Sequence, residues 1–261
     1  MPSEDPFEGT EAYYAEHRPG YGEEAIRYLR ERFGLDGDSR VLDLGCGPGT
    51  IAIPLAAHVG EVVGMDPSEA MLDQARERAS AAGRQHIEWV LGSDADLDAG
   101  LGTFRLTTIG RAFHRLDQQR SLDRLQELTG PDGGVALLGD PEWVIRGRRA
   151  WQTAVYEVVS RYVADVPERT GPIEYDEPYD ETLAAAGYAD VEVATFEFER
   201  EWSIDDIVGY VRSLSYCSPR QLGADRPAFE AEVRDRLNDH GVPPFVQRGA
   251  VRVVSGYATD G

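Results

Sequence analysis

Residues 41–50 read VLDLGCGPGT: an apolar run closed by Asp43, then glycines at 45, 47 and 49. Glycine at every second position removes side chains from a loop and permits positive φ. Either a ligand comes close to the backbone there, or the chain makes a tight turn from strand into helix. The spacing is not that of the phosphate binders. A dinucleotide fingerprint needs G-x-G-x-x-G and a P-loop needs a lysine after its last glycine. Here the order is G-x-G-x-G, and the chain contains no lysine. A second acid, Asp66, closes the run EVVGMD. A carboxylate in that place accepts from both hydroxyls of a ribose, or it caps the helix that starts after Pro67. Downstream, LGSDADL offers Ser93 and Asp94, and TTIGRAFHRLD offers His114. His114 is a candidate general base for a hydroxyl or an amine, or a packing residue that orients its loop.

These residues need a scaffold, and the pattern of the chain supplies one. RVLDLG, EVVGMD, IEWVLGS, TFRLTTIG and GVALLGD read as five short strands. Between them lie helical stretches: TIAIPLAAHVG with Ile51, Leu55 and Val59 on one side, PSEAMLDQARERASAAG with Ser68 as cap, and RSLDRLQELTGPDG. Strands alternating with helices at short loop spacing predict a doubly wound, mostly parallel α/β sheet of Rossmann-like type, where ligands bind at the carboxyl ends of the strands. A long strand around VEVATFEFEREW and a last one, GAVRVVSGYATD, bring the expected count to seven. Amphipathic helices outside the alternation predict helical lid insertions on a single domain: residues 1–22, 142–178 and 203–245. Aromatics are dense there or close by: Trp143, Trp151, Tyr156, Tyr162, Tyr175, Tyr179, Trp202, Tyr210 and Tyr216. Some must line core, and others suit a flat or apolar ligand.

Composition narrows the partners. Forty-seven acidic residues face 26 basic ones, all arginine, for a net charge of -21. An acidic surface repels nucleic acid and anionic membranes. The same imbalance suits a salty interior, where self-repulsion is screened; the acid excess and the missing lysine together favour that reading over arginine-rich coding alone. The first residues, MPSEDPFEGTEAYY, lack the basic and apolar regions of a secretion signal, and no apolar run is long enough to span a bilayer, so a cytoplasmic protein is expected. Cys46 and Cys217 are too few for a disulfide framework or a zinc site, and no metal is expected.

The order of glycine loop, ribose acid, third-strand loop and fourth strand resembles the class I S-adenosylmethionine-dependent methyltransferases, over about residues 10–140 and most closely the small-molecule, type 11-like members. The resemblance implies that Asp43, Gly45, Gly47 and Gly49 accommodate the methionine and ribose part of the cofactor and that Asp66 takes the ribose. Met65 and Met71 would pack on adenine, although core packing accounts for Met71 as well. LGSDADL resembles a G-D-A-E-D-L loop, with Ser93 in the place of the acid. Asp94, assisted by Ser93, would then read the adenine, unless the loop is simply a solvated acidic turn. Gly110 and Arg111 fall where backbone groups meet the methionine end, and His114 falls beside the transferring methyl group. Arg115 stands where such proteins often have tryptophan. The segment YYAEHRPGY resembles one in which a tyrosine closes over the cofactor and an arginine meets its carboxylate, which implies Tyr14 and Arg18.

The expected activity is methyl transfer to an oxygen or nitrogen of a small molecule, by a monomer or homodimer without nucleic-acid or membrane partners. Two alternatives are a protein that binds S-adenosylmethionine for other chemistry, such as cyclisation or regulation, and a nicotinamide-dependent oxidoreductase, which the glycine spacing disfavours.

Overall fold

The computed structural model describes residues 9–140, 142–169 and 178–259. Seven strands form one sheet: β1 (Arg40–Leu44), β2 (Glu61–Asp66), β3 (Ile87–Leu91), β4 (Phe104–Gly110), β5 (Thr129–Gly139), β6 (Ala189–Trp202) and β7 (Phe245–Tyr257). Their order is β3-β2-β1-β4-β5-β7-β6. β1 pairs in parallel with β2 and β4, β2 with β3, and β4 with β5, while β7 runs antiparallel to β5. This is the doubly wound, mostly parallel sheet expected from the alternation. β1 and β2 are buried along nearly their whole length because helices cover both faces of a parallel sheet. The strand order reverses between β1 and β4. Loops leaving the carboxyl ends of those two strands diverge and open a crevice.

The helices are α1 (Glu11–His17), α2 (Glu23–Arg32), α3 (Ala52–Leu55), α4 (Glu69–Ala81), α5 (Gln118–Glu127), α6 (Trp143–Arg146), α7 (Ala150–Tyr162), α8 (Tyr179–Ala185), α9 (Ile204–Arg212), α10 (Pro219–Leu222) and α11 (Arg226–His240). Ser68 caps α4 as its sequence position predicts, accepting from Met71 N at 3.4 Å. One helix is shorter than its pattern suggests. The run from Thr50 to Gly60 keeps only four residues of α-helix, and its later bonds tighten to the i+3 type, Ala57 N to Pro54 O and His58 N to Leu55 O. Pro54 is tolerated because it lies in the first turn, and the chain after it tightens into i+3 turns instead of extending the helix.

Contacts divide the described residues into two units. One takes the described residues of Gly20–Asp140, Glu177–Phe196 and Ala250–Gly261. Its core sits between the sheet and its helices and includes Leu42, Leu44, Val63, Met65, Ile109, Phe113, Leu122, Leu137 and Val254. The other takes the described residues of Met1–Pro19, Pro141–Asp176 and Glu197–Gly249. Its core is aromatic: Trp143 lies against Trp151, Trp202 and Tyr210 with ring centres 4.8, 5.9 and 5.0 Å apart. Trp202 donates its indole N–H to the buried Gln247 at 3.0 Å, and Tyr216 donates to Glu142. Tyr162 meets Phe229 edge-on. These rings are therefore structural to a large degree. Tyr179 belongs to the sheet unit instead, where it lies edge-on to Phe113. Tyr175 lies outside the described residues. Among the described residues no helix is long and apolar enough to cross a membrane.

Candidate functional site

The glycine loop leaves β1 and is tied to β2 by main-chain bonds. Gly45 N and Cys46 N both donate to the carbonyl of Met65, at 2.8 and 3.0 Å. Gly45, Gly47 and Gly49 all adopt positive φ, at 67°, 52° and 77°. Their surroundings differ. A Cβ on Gly45 would stand 2.7 Å from the Ala112 Cβ, and one on Gly49 would stand 2.8 Å from Ile53 and 2.9 Å from Trp89. Those two glycines permit close packing of the protein on itself. A Cβ on Gly47 would meet nothing within 4 Å. Gly47 is thus the point at which the loop faces open space.

Asp43 does not face that space. It is 1% exposed, and its oxygens accept from Thr108 Oγ1 at 2.9 Å and from Ala52 N at 3.0 Å. The acid braces β1 against β4 and against the start of α3. Burial pushes its carboxyl up to about 7; the bonds from Thr108 and Ala52 oppose that shift, and the Asp66 charge adds to it. Cys46, also buried, has its thiol pushed well up for the same reason of desolvation.

Asp66, at the end of β2, accepts from Gly47 N at 2.8 Å on one oxygen and from Ser68 N at 2.9 Å on the other. Both the turn into α4 and the glycine loop are therefore organised on this carboxylate. A carboxylate can accept from a pair of adjacent hydroxyls, and the open Gly47 Cα fits a ligand passing over the loop. The donor set thus suits a ribose-bearing cofactor.

Met65 and Met71 are 1% and 4% exposed. Met65 lies in the core of the sheet unit and supplies the carbonyl that holds the loop. In the loop after β3, Ser93 and Asp96 form a reciprocal cap: Ser93 N and Oγ donate to Asp96 Oδ2 at 2.8 and 3.1 Å, and Ser93 Oγ accepts from Ala95 N. Asp94 turns toward α5, accepting from Asp117 N and Ser121 Oγ, both at 3.2 Å. The side chains of the loop serve local structure, and its main chain is what the turn presents.

After β4 the chain turns through Gly110 and Arg111, the latter in the left-handed region at φ 54°. His114 follows in a 3₁₀ turn, Phe113–Arg115, with Phe113 buried and His114 exposed, and Arg115 Nε donates to His114 Nε2 at 3.3 Å. Tyr14 and Arg18 belong to the helical unit. There the Arg18 guanidinium lies 5.1 Å from the Tyr14 ring centre and 4.9 Å from that of Tyr210, and Nε donates to Ser213 Oγ at 2.9 Å.

Three contributors had no separate signal in the sequence. Thr108 looks like an ordinary strand residue, Asp96 like one acid among many, and Trp89 like a core aromatic. Trp89 crosses the sheet beneath the loop, 2.4 Å from where a Cβ on Gly64 would stand, and so explains a glycine in the middle of β2.

Residues 41–133 match the Methyltransferase domain family. An uncharacterized methyltransferase of Schizosaccharomyces pombe is 22% identical over 211 residues, covering 80% of this chain and 78% of the relative. Among solved structures, a candidate type II methyltransferase from Anaeromyxobacter dehalogenans superposes with a TM-score of 0.65 at 21% identity, covering 94% of this chain and 99% of its own. A SAM-dependent methyltransferase from Thiobacillus denitrificans, solved with S-adenosyl-L-homocysteine, superposes with a TM-score of 0.53 at 18% identity, covering 97% and 99%. Glycine loop, ribose-suited acid and strand order agree with these similarities: residues 41–133 match the Methyltransferase domain family, and the fold is that of the solved methyltransferases.

Proposed function

We propose that this protein transfers a methyl group from S-adenosylmethionine to an oxygen or nitrogen of a small molecule. The observation that carries the cofactor assignment is the Gly47–Asp66 contact. The one loop glycine that faces open space is bonded to the acid best suited to a ribose. The bound cofactor supplies an already activated methyl group. What the chain's residues must then do is bind, orient and exclude water. In this reading Gly45, Gly47 and Gly49 admit the methionine and ribose part, and Asp66 accepts from the ribose hydroxyls. Asp43 holds the loop in place. Met65, Met71, Ser93 and Asp94 shape the adenine end, and the backbone at Gly110 and Arg111 meets the methionine end. Tyr14 and Arg18 are further candidates for the same cofactor. His114 takes the proton from the acceptor hydroxyl or amine on a ring nitrogen.

The acid excess supports a small-molecule acceptor over nucleic acid, and with it a cytoplasmic monomer or homodimer in a salt-rich interior. Calorimetry with S-adenosylhomocysteine and with NAD tests the cofactor. Asp66→Ala should weaken S-adenosylhomocysteine strongly, and unchanged affinity would remove Asp66 from the site. Transfer of a radiolabelled methyl group into a metabolite extract tests the acceptor. Tight cofactor binding with no transfer into any fraction would favour a non-methylating role. His114→Ala should lower turnover more than cofactor affinity.

A further inference from the structure

We propose that Asp140 is a positioning residue for the cofactor loop and acts through Arg111; the proposal rests on the reading that the glycine loop holds S-adenosylmethionine. Arg111 sits at φ 54°, a conformation that side chains with a Cβ avoid and that persists only where the surroundings impose it. Contacts from β5, Tyr21 and Asp140 hold it here. Arg111 N donates to Leu138 O on β5 at 3.0 Å. Its guanidinium lies 4.5 Å from the ring centre of Tyr21, which is 5% exposed. Its Nε donates to Asp140 Oδ1 at 2.5 Å, with the two side chains 13% and 9% exposed. Asp140 directly follows β5, the strand paired with β4, so the sheet itself fixes where the guanidinium is held.

The corner so held abuts the glycine loop. The next residue, Ala112, is the one whose Cβ would stand 2.7 Å from a Cβ on Gly45. On the other side, a Cβ on Gly110 would lie 2.6 Å from Tyr21 Oη and 2.7 Å from Ile51 Cδ1. There is no slack: if the corner relaxed to a right-handed conformation, Ala112 would leave or strike Gly45. The carboxylate of Asp140 therefore fixes the Arg111 corner, and the corner fixes the wall beside Gly45. The guanidinium is engaged with Asp140 and acts on the corner rather than on the cofactor.

Glycine separates these roles, since it adopts a left-handed corner unaided. The affinity for S-adenosylhomocysteine, measured by calorimetry, is the readout, and it needs no knowledge of the acceptor. Asp140→Ala and Arg111→Ala should each weaken binding about tenfold, as expected if the competent corner falls to about a tenth of the population. Arg111→Gly should lose about threefold, and adding Asp140→Ala to it should cost nothing more. Equal losses in Arg111→Gly and Arg111→Ala would overturn the proposal by showing that the guanidinium itself is needed. An unchanged Asp140→Ala would overturn it also. If Asp140→Ala does not fold, as judged by circular dichroism, the comparison of alanine with glycine at 111 decides alone. Failure of the cofactor reading itself would show differently, as no binding by the unaltered protein or no effect of Asp66→Ala.

Discussion

Asp43→Asn is expected to reverse part of the pH dependence of stability. Asp43 is buried at the end of β1 with its carboxyl pushed up to about 7, against an ordinary value of 3.8. Between those two values the folded chain keeps a proton that the unfolded chain has lost. Stability therefore falls as pH rises from about 4 to about 7, and is flat above. At about 1.4 kcal/mol per pH unit, the full difference is about 4 kcal/mol. Asparagine is isosteric and stays neutral. Its carbonyl accepts from Ala52 N, and its amide donates to the Thr108 hydroxyl, which then turns toward Leu42 O. Thermal unfolding of both proteins at pH 4.5, 6 and 8 measures the effect. Other titrating groups cancel in the difference between the two. The variant should gain on the parent by about 3 kcal/mol between the extremes, part of the change lying below pH 4.5, or about 8 °C in Tm. Parallel curves would refute the reasoning and mean that Asp43 stays ionised in the folded protein.

Gly47→Ala should cost about 1–2 kcal/mol through its left-handed φ alone, without a steric clash, and should weaken S-adenosylhomocysteine further than that loss explains; calorimetry beside a melting curve separates the two. Gly209, inside α9, should not accept alanine, because its Cβ would lie 2.1 Å from the His17 ring of α1. Hydrogen exchange over residues 11–17 should rise in Gly209→Ala and return toward the His17→Ala level when both changes are combined. Asp94→Ala should lower stability by about 1 kcal/mol through its lost bonds to Asp117 N and Ser121. A tenfold loss of cofactor affinity at unchanged Tm would instead assign Asp94 to adenine.

The parallel part of the fold was legible because its signals are local and repeated. Short apolar strands ending in Asp43 and Asp66, with glycine or proline punctuation after them, define the loops at the carboxyl edge. The division of work among the site residues was not legible, because it depends on where side chains point. Asp43 and Asp66 look alike in sequence, yet one is sealed between Thr108 and Ala52 while the other organises the glycine loop and the start of α4. Gly49 and Gly47 look alike, yet one packs on Trp89 and Ile53 and the other faces open space. The Arg111–Asp140 pair joins positions 29 apart that only the β4–β5 register brings together. The short α3 shows the limit of periodicity, since Ile51, Leu55 and Val59 have helical spacing and are buried without sharing a helix.

The placement of β7 has a consequence in time. It is the last strand along the chain, but it stands between β5 and β6 rather than at an edge. The first five strands can assemble in order of synthesis. β6 cannot reach its final place until β7 has emerged and been slotted in, and until then the flank of β5 presents unpaired main chain. Assembly of this side is thus a late, non-local step, slower than the winding before it and open to mispairing with other chains. A chain cut short before Phe245 would carry the whole glycine loop and both of its acids, and still lack the strand that joins β6 to the sheet.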